Sequence, residues 1–119
     1  ITRINCMDWH APLAQIPWDQ PQIEKMPAAN GWWMIEAAEA GRYRFILRHQ
    51  PAQAAFPLRA VRARVRVGDE EAVIAVAPGA TEVTIDLDLP AGPARLQTWL
   101  EEADGTARGA FFVEVQQER

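Results

Sequence analysis

Hydrophobic and polar residues alternate along much of the chain with the period of two that is typical of β-strands. The longest such run is 81–89, in which Val83, Ile85, Leu87 and Leu89 share one face. Successive side chains of a strand point to opposite faces, so the alternation predicts that these four residues are buried.

Shorter runs predict further strands at residues 1–7, 32–38, 42–48, 62–67, 71–76, 94–101 and 108–115. The strands are separated by turn sequences, namely Asn30-Gly31, Ala40-Gly41, Gly68-Asp69, Pro78-Gly79, the segment 90–93 and Asp104-Gly105. We interpret Ala40-Gly41 as the turn of a hairpin between 32–38 and 42–48. Short strands without helical periodicity between them predict an all-β fold, an antiparallel β-sandwich of the jelly-roll-like or immunoglobulin-like kind.

The same alternation assigns individual side chains to the core or to the surface. It predicts that Tyr43, Phe45, Leu47, Val65, Ile85 and Leu87 are nearly buried and that Arg44, Arg64 and Asp86 are not. Two charged stripes lie opposite apolar faces, one of Arg62, Arg64 and Arg66, the other of Glu82, Asp86 and Asp88. If the stripes are adjacent, they form cross-strand ion pairs, which neutralise the arginines; the alternative is an arginine-lined face that recognises sulfated glycan.

Two stretches break the strand pattern. Residues 8–30 contain four prolines and predict a long irregular N-terminal loop segment, with at most one helical turn at 22–26. Residues 51–57 predict a second irregular stretch.

Composition limits the possible functions. The 119 residues suffice for one domain, 1–119, and the net charge of -4 argues against a surface for nucleic acid or for an anionic membrane. No segment approaches the ~20 apolar residues that cross a bilayer. The chain opens at Ile1 without a Met, which we interpret as a domain excised from a longer chain.

The inventory of catalytic side chains is small. Serine is absent, Cys6 is the only cysteine, and His10 and His49 are the only histidines, so we assign no catalytic residue and predict no enzyme activity for this segment. Asp8 and His10 could form a metal pair, but zinc would need a further protein ligand, so we predict no metal site.

The five tryptophans are the strongest candidates for binding. Because Trp32 and Trp33 are consecutive on a strand, only one of them can enter the same core. On the strand 94–101, Arg95, Gln97 and Trp99 lie opposite Leu96, Thr98 and Leu100. The candidate interface or ligand-binding residues are Trp9, Trp18, Trp32, Arg95, Gln97 and Trp99. The alternatives are plain core packing, stacking on sugar rings, and the buried centre of a domain interface, which we favour.

Several segments together resemble the carboxy-terminal accessory domain of bacterial arylsulfatases. They are residues 41–48 (GRYRFILR), 51, 56–58 (FPL), 89–99 (LPAGPARLQTW) and 104–113, preceded by 8–10 (DWH), 17–20 (PWDQ) and 30–33 (NGWW). The resemblance spans nearly the whole chain.

The resemblance implies a non-catalytic domain that docks on and stabilises the catalytic sulfatase domain of the same chain. A free-standing carbohydrate-binding module that recognises sulfated or other glycans is the alternative. The parent enzyme would use formylglycine and calcium to hydrolyse sulfate esters, but this segment itself is expected to hold no cofactor, because Met7 to His10 lack the proline and arginine of the sulfatase signature after Cys6. The resemblance does not fix the cellular location.

Overall fold

The computed structural model describes residues 2–5, 31–48, 58 and 60–118. Nine β-strands are found in this part of the chain. They are β1 (Thr2–Asn5), β2 (Trp32–Ala37), β3 (Gly41–Arg48), β4 (Arg62–Val67), β5 (Glu70–Ala75), β6 (Val83–Leu89), β7 (Gly92–Glu101), β8 (Ala107–Arg108) and β9 (Phe112–Gln117). The predicted loop at 8–30, its helical turn at 22–26 and the irregular stretch at 51–57 lie outside the described residues.

The strands form two antiparallel sheets that pack as a β-sandwich, which confirms the predicted fold class. The first sheet has the order β1-β9-β3-β6, and the second has the order β2-β7-β4-β5, with β8 beside β7. No helix in the described part of the chain has the length and apolar character that crossing a membrane requires.

The core lies between the sheets and follows the predicted parity. Phe45, Leu47 and Val65 are fully buried, and Tyr43, Ile85 and Leu87 are nearly so. The side chains of Arg44, Arg64 and Asp86 remain 39%, 37% and 26% exposed on the outer faces. Strands β3, β4 and β6 thus bury one face only, as the sequence pattern requires.

The predicted hairpin between β2 and β3 is wrong. β2 pairs with β7 in the second sheet, whereas β3 pairs with β6 and β9 in the first, so the segment 38–40 crosses between sheets. The Tyr43 hydroxyl donates a hydrogen bond to the Glu39 carbonyl at 2.6 Å within this crossing. Both strands carry an apolar face, and both faces are buried when the strands lie in opposite sheets and pack against each other across the core.

The predicted last strand, 108–115, is divided in two. β8 pairs with β7, whereas β9 pairs with β1 and β3, so the chain crosses from the second sheet to the first between them. Ala110 and Phe111 are fully buried at the crossing. The Ala110 N–H donates to the Thr98 hydroxyl at 2.9 Å instead of entering a ladder, which ends the strand there.

Two predicted turns are confirmed, and each joins consecutive antiparallel strands. Gly68 and Asp69 form the two-residue loop between β4 and β5, where Val67 pairs with Glu70 and Gly68 has a φ of 59°. A tight turn that includes Asp104 and Gly105 joins β7 to β8.

Candidate functional site

The outer face of the second sheet brings four of the candidate residues together. Antiparallel pairing places Trp32 of β2 opposite Gln97 of β7, with Arg95 and Trp99 two residues to either side of Gln97. We call this surface, with Arg64 and Arg66 of the neighbouring strand, the tryptophan face. Trp9 and Trp18 lie outside the described residues.

Strand β7 orients the central side chains because its other face is anchored in the core. Leu96, Thr98 and Leu100 are fully buried, which confirms the predicted parity of this strand. Gln97 and Trp99 therefore point outward and are half-buried among their neighbours, while Arg95 is exposed.

The two consecutive tryptophans have opposite environments. Trp33 points inward, is 3% exposed, and donates a hydrogen bond from Nε1 to the Asn5 carbonyl at 2.9 Å. Trp32 points outward and is half-buried on the tryptophan face. Only one indole enters the core, as the strand geometry predicts.

An arginine lies over each outward indole. The Arg95 guanidinium is 3.8 Å from the centroid of the Trp32 ring, and the Arg64 guanidinium is 5.6 Å from that of Trp99. A cation over an aromatic ring is attracted by the ring's electron-rich face, so these contacts restrain both indoles.

Ion pairs fix the edge of the tryptophan face nearest Trp99. Arg62 Nη2 lies 2.8 Å from Glu101 Oε2, and Arg64 lies 3.3 Å from Glu71 and 3.5 Å from Glu101. Arg64 Nε is buried and makes no hydrogen bond to the described residues, although Glu71 Oε1 lies 3.3 Å away. The pairs hold Arg64 beside Trp99 by charge attraction.

Two polar groups of the tryptophan face have no hydrogen-bond partner in the described chain. The side-chain amide of Gln97 and Nε1 of Trp99 make no hydrogen bond to the described residues. A half-exposed amide between two indoles can donate to and accept from a ligand hydroxyl.

The two predicted charged stripes are not adjacent. Arg62, Arg64 and Arg66 lie on the second sheet, whereas Asp86 and Asp88 lie on the first. The acidic groups pair instead with arginines of their own sheet, through Arg42–Asp86, Arg42–Asp88, Arg44–Asp86 and Arg48–Glu82. The acidic stripe therefore does not neutralise the arginines of the tryptophan face. The sequence analysis expected such neutralisation only if the two stripes were adjacent.

Arg48 shows how closely the charges of the first sheet are matched. Burial opposes its charged form, but the hydrogen bonds and the charge attraction of Glu82 and Glu114 together outweigh burial and raise the pKa of Arg48. Glu114 Oε1 lies 2.7 Å from Nη1 of Arg48, and Glu82 Oε1 lies 2.8 Å from Nη2. The outer face of the first sheet is thus occupied by internal ion pairs.

Nothing in the described part of the chain gathers three or more metal-ligating side chains in one place. Cys6, Asp8, His10 and His49 lie outside it, so the predictions about these residues stay predictions.

Sequence reasoning missed Met34 and the position of Arg66. Met34 is 54% exposed and lies opposite Arg95 on β2, and Arg66 lies opposite Gln97 on β4. The alternation around Trp33 could have placed Met34 outward. The pairing of β4 with β7 has no local signal, because the two strands are distant in sequence.

Comparisons with known proteins establish the fold but no family. No family model matches the chain, and no curated protein matches it. A ruminal GH26 endo-β-1,4-mannanase superposes with a TM-score of 0.58 at 14% identity, covering 99% of this chain and 26% of the mannanase chain. A family 35 carbohydrate binding module from an environmental isolate gives a TM-score of 0.49 at 27% identity, covering 76% of this chain and 66% of that one.

At 14% identity, the likeness to the mannanase chain shows a shared β-sandwich fold and nothing of function. The chain spans about a quarter of that longer protein. The superposition on the carbohydrate binding module is too loose to carry an argument. The arylsulfatase resemblance is not tested by these matches and stays a prediction.

Proposed function

We propose that this chain is a non-catalytic β-sandwich module that binds carbohydrate on the tryptophan face. The observation that carries the proposal is the grouping of Trp32, Gln97 and Trp99 on one outer sheet face, where the Gln97 amide lies beside both indoles and makes no hydrogen bond to the described residues. Small-molecule sites combine apolar or aromatic walls with a few placed polar groups, and this face has that composition.

Sugar rings suit such a surface chemically. Their C–H faces pack on flat aromatic rings, while their hydroxyls need hydrogen-bond partners at the ring edge. Trp99 supplies the ring, and Nε1 of Trp99 and the Gln97 amide supply donors and an acceptor. The rigid sheet beneath them limits the entropy lost on binding, because β7 is anchored by its buried face.

Docking on a catalytic domain of a longer, sulfatase-like chain is the second candidate. It is favoured by exposed apolar side chains at two margins of the tryptophan face, Met34 at 54% and Val73 at 46%. Methionine and tryptophan are enriched in the buried centres of protein interfaces.

Titration of the chain with neutral and sulfated oligosaccharides, followed by tryptophan fluorescence, tests the proposal. We expect saturable binding that weakens by about tenfold or more in Trp99→Ala, since an anchor residue contributes on the order of 1.4 kcal/mol or more. Ile46→Ala, on the outer face of the first sheet, is the matched control and should bind as the parent does.

Two results separate the candidates. Saturable binding lost in Trp99→Ala, with unfolding midpoint and circular dichroism unchanged, supports the carbohydrate site. Absence of binding to every sugar, together with self-association that Met34→Glu abolishes, contradicts it and supports docking.

A further inference from the structure

The described arginines fall into two groups. Most make ion pairs with carboxylates, namely Arg3, Arg42, Arg44, Arg48, Arg62, Arg64 and Arg108. Arg66 and Arg95 make none with any carboxylate of the described chain, and both lie on the tryptophan face.

The two unpaired arginines are neighbours. Arg66 lies opposite Gln97 in the ladder between β4 and β7, and Arg95 precedes Gln97 by two residues. Diagonal neighbours of this kind on a sheet are about 7–8 Å apart at their Cβ atoms, which long side chains span. Both guanidinium groups can therefore reach one small anion over Gln97.

Both side chains are restrained by contacts that leave donors available. Arg66 donates from Nε to the Gly68 carbonyl at 3.1 Å, and its terminal amino groups make no hydrogen bond to the described residues. The Arg95 guanidinium lies 3.8 Å from the Trp32 centroid, and its N–H groups make no hydrogen bond to the described residues. Because both side chains are already restrained while N–H donors stay available, less side-chain entropy is lost when an anion binds.

Acidic side chains at neighbouring ladder positions make no ion pair with Arg66 or Arg95 within the described residues. Glu71 lies opposite Arg66 in the ladder between β4 and β5, but its Oε1 is 3.3 Å from Nε of Arg64. Glu36 lies on β2 opposite Pro93, beyond Met34, and forms no ion pair with the residues that the structure describes. The positive charge of Arg66 and Arg95 is thus left facing solvent beside Trp32.

We infer that Arg66 and Arg95 form an anion subsite that selects sugars with an acidic substituent, a sulfate ester or a uronate carboxylate. The inference rests on the proposed carbohydrate function and adds the ligand class. Sulfate and carboxylate oxygens accept the paired N–H groups of guanidinium, and such charge-assisted hydrogen bonds are roughly twice as strong as neutral ones. Trp99 and Gln97 would hold the sugar ring while the arginines hold its charge.

The test compares one oligosaccharide backbone in neutral, sulfated and uronate forms, with inorganic sulfate as a sugar-free probe. Tryptophan fluorescence should report tighter binding of an acidic form by about tenfold or more, because each hydrogen bond to a charged group contributes on the order of 1.5–3 kcal/mol. The preference should fall as salt rises.

The variants separate a specific contact from the overall charge of the protein. Arg66→Gln with Arg95→Gln should abolish the preference for acidic over neutral sugars, measured as the ratio of the two affinities within the same variant. The double variant Arg42→Gln with Arg44→Gln is the control. It removes the same number of positive charges, but from the first sheet, and should keep the preference for acidic sugars. Arg66→Lys with Arg95→Lys retains the charge but loses the planar fork, so part of the preference should be lost.

Failure of the inference and failure of the proposed function give different results. Equal binding of neutral and acidic forms overturns the anion subsite alone. Inorganic sulfate that quenches fluorescence in the parent but not in the glutamine double variant, with no sugar bound, supports the anion subsite and overturns the carbohydrate function. No response to any probe overturns both.

Discussion

The hydroxyl of Thr98 should stabilise the fold through the buried hydrogen bond that it accepts from Ala110. Thr98 is fully buried on β7 and accepts a hydrogen bond from the N–H of Ala110, itself fully buried, at 2.9 Å. Thr98→Val keeps the shape of the side chain but leaves that N–H without this acceptor. A buried donor without a partner costs about 1–3 kcal/mol, and we expect a destabilisation of that size.

Urea denaturation followed by circular dichroism measures the effect. The midpoint should fall with an unchanged slope, because the surface exposed on unfolding stays the same. Thr98→Ser keeps the acceptor and loses a methyl group, so it should cost only about 0.8 kcal/mol.

Thr84→Val is the matched control. Thr84 is exposed on β6, and the same change there should stay within about 0.5 kcal/mol of the parent. A Thr98→Val protein as stable as the parent, with Thr84→Val also neutral, would refute the argument that the Ala110 N–H depends on this hydroxyl.

Two further predictions concern the turns. Gly68 has a φ of 59°, which a residue with a Cβ adopts only with strain. An added Cβ would lie 3.7 Å from that of Ala94, an ordinary contact, so Gly68→Ala should lower the free energy of unfolding by about 1–2 kcal/mol through backbone strain alone. Gly68→Asn should lose less, and equal losses in urea denaturation would contradict this explanation. A hydrogen bond from the Thr106 N–H at 2.9 Å lowers the pKa of Asp104. Its contribution to stability should therefore be complete above the unfolded pKa of about 3.9 and be lost as pH falls through the lower folded value; a carboxyl NMR titration midpoint at or above about 3.9 would contradict this.

The alternation of side chains within each strand was predictable from the sequence. A period of two is a local property, because the pleat alone sends consecutive side chains to opposite faces. It correctly divided Leu96 and Thr98 from Gln97 and Trp99, and it required that Trp32 and Trp33 point in opposite directions. The sandwich class followed from the number of such one-sided strands.

Strand partners were not predictable in the same way. The Ala40-Gly41 turn has the residues of a hairpin, yet β2 and β3 belong to different sheets. A strand whose apolar face is buried satisfies its pattern in either sheet, and the choice depends on long-range packing rather than on the turn. The division of 108–115 into β8 and β9 has the same origin, because burial of Phe111 between the sheets outweighs continuous pairing.

The sequence by itself determined which residues could form a binding surface, since the outward positions of β2 and β7 follow from their alternation. The tertiary structure decided which of them meet. Pairing of β7 with both β2 and β4 brings Trp32, Gln97 and Arg66 into one row, and places the acidic stripe on the other sheet. Ladder register joins residues far apart in the chain, and it is set by how both sheets bury their apolar faces together, a property that no single strand contains.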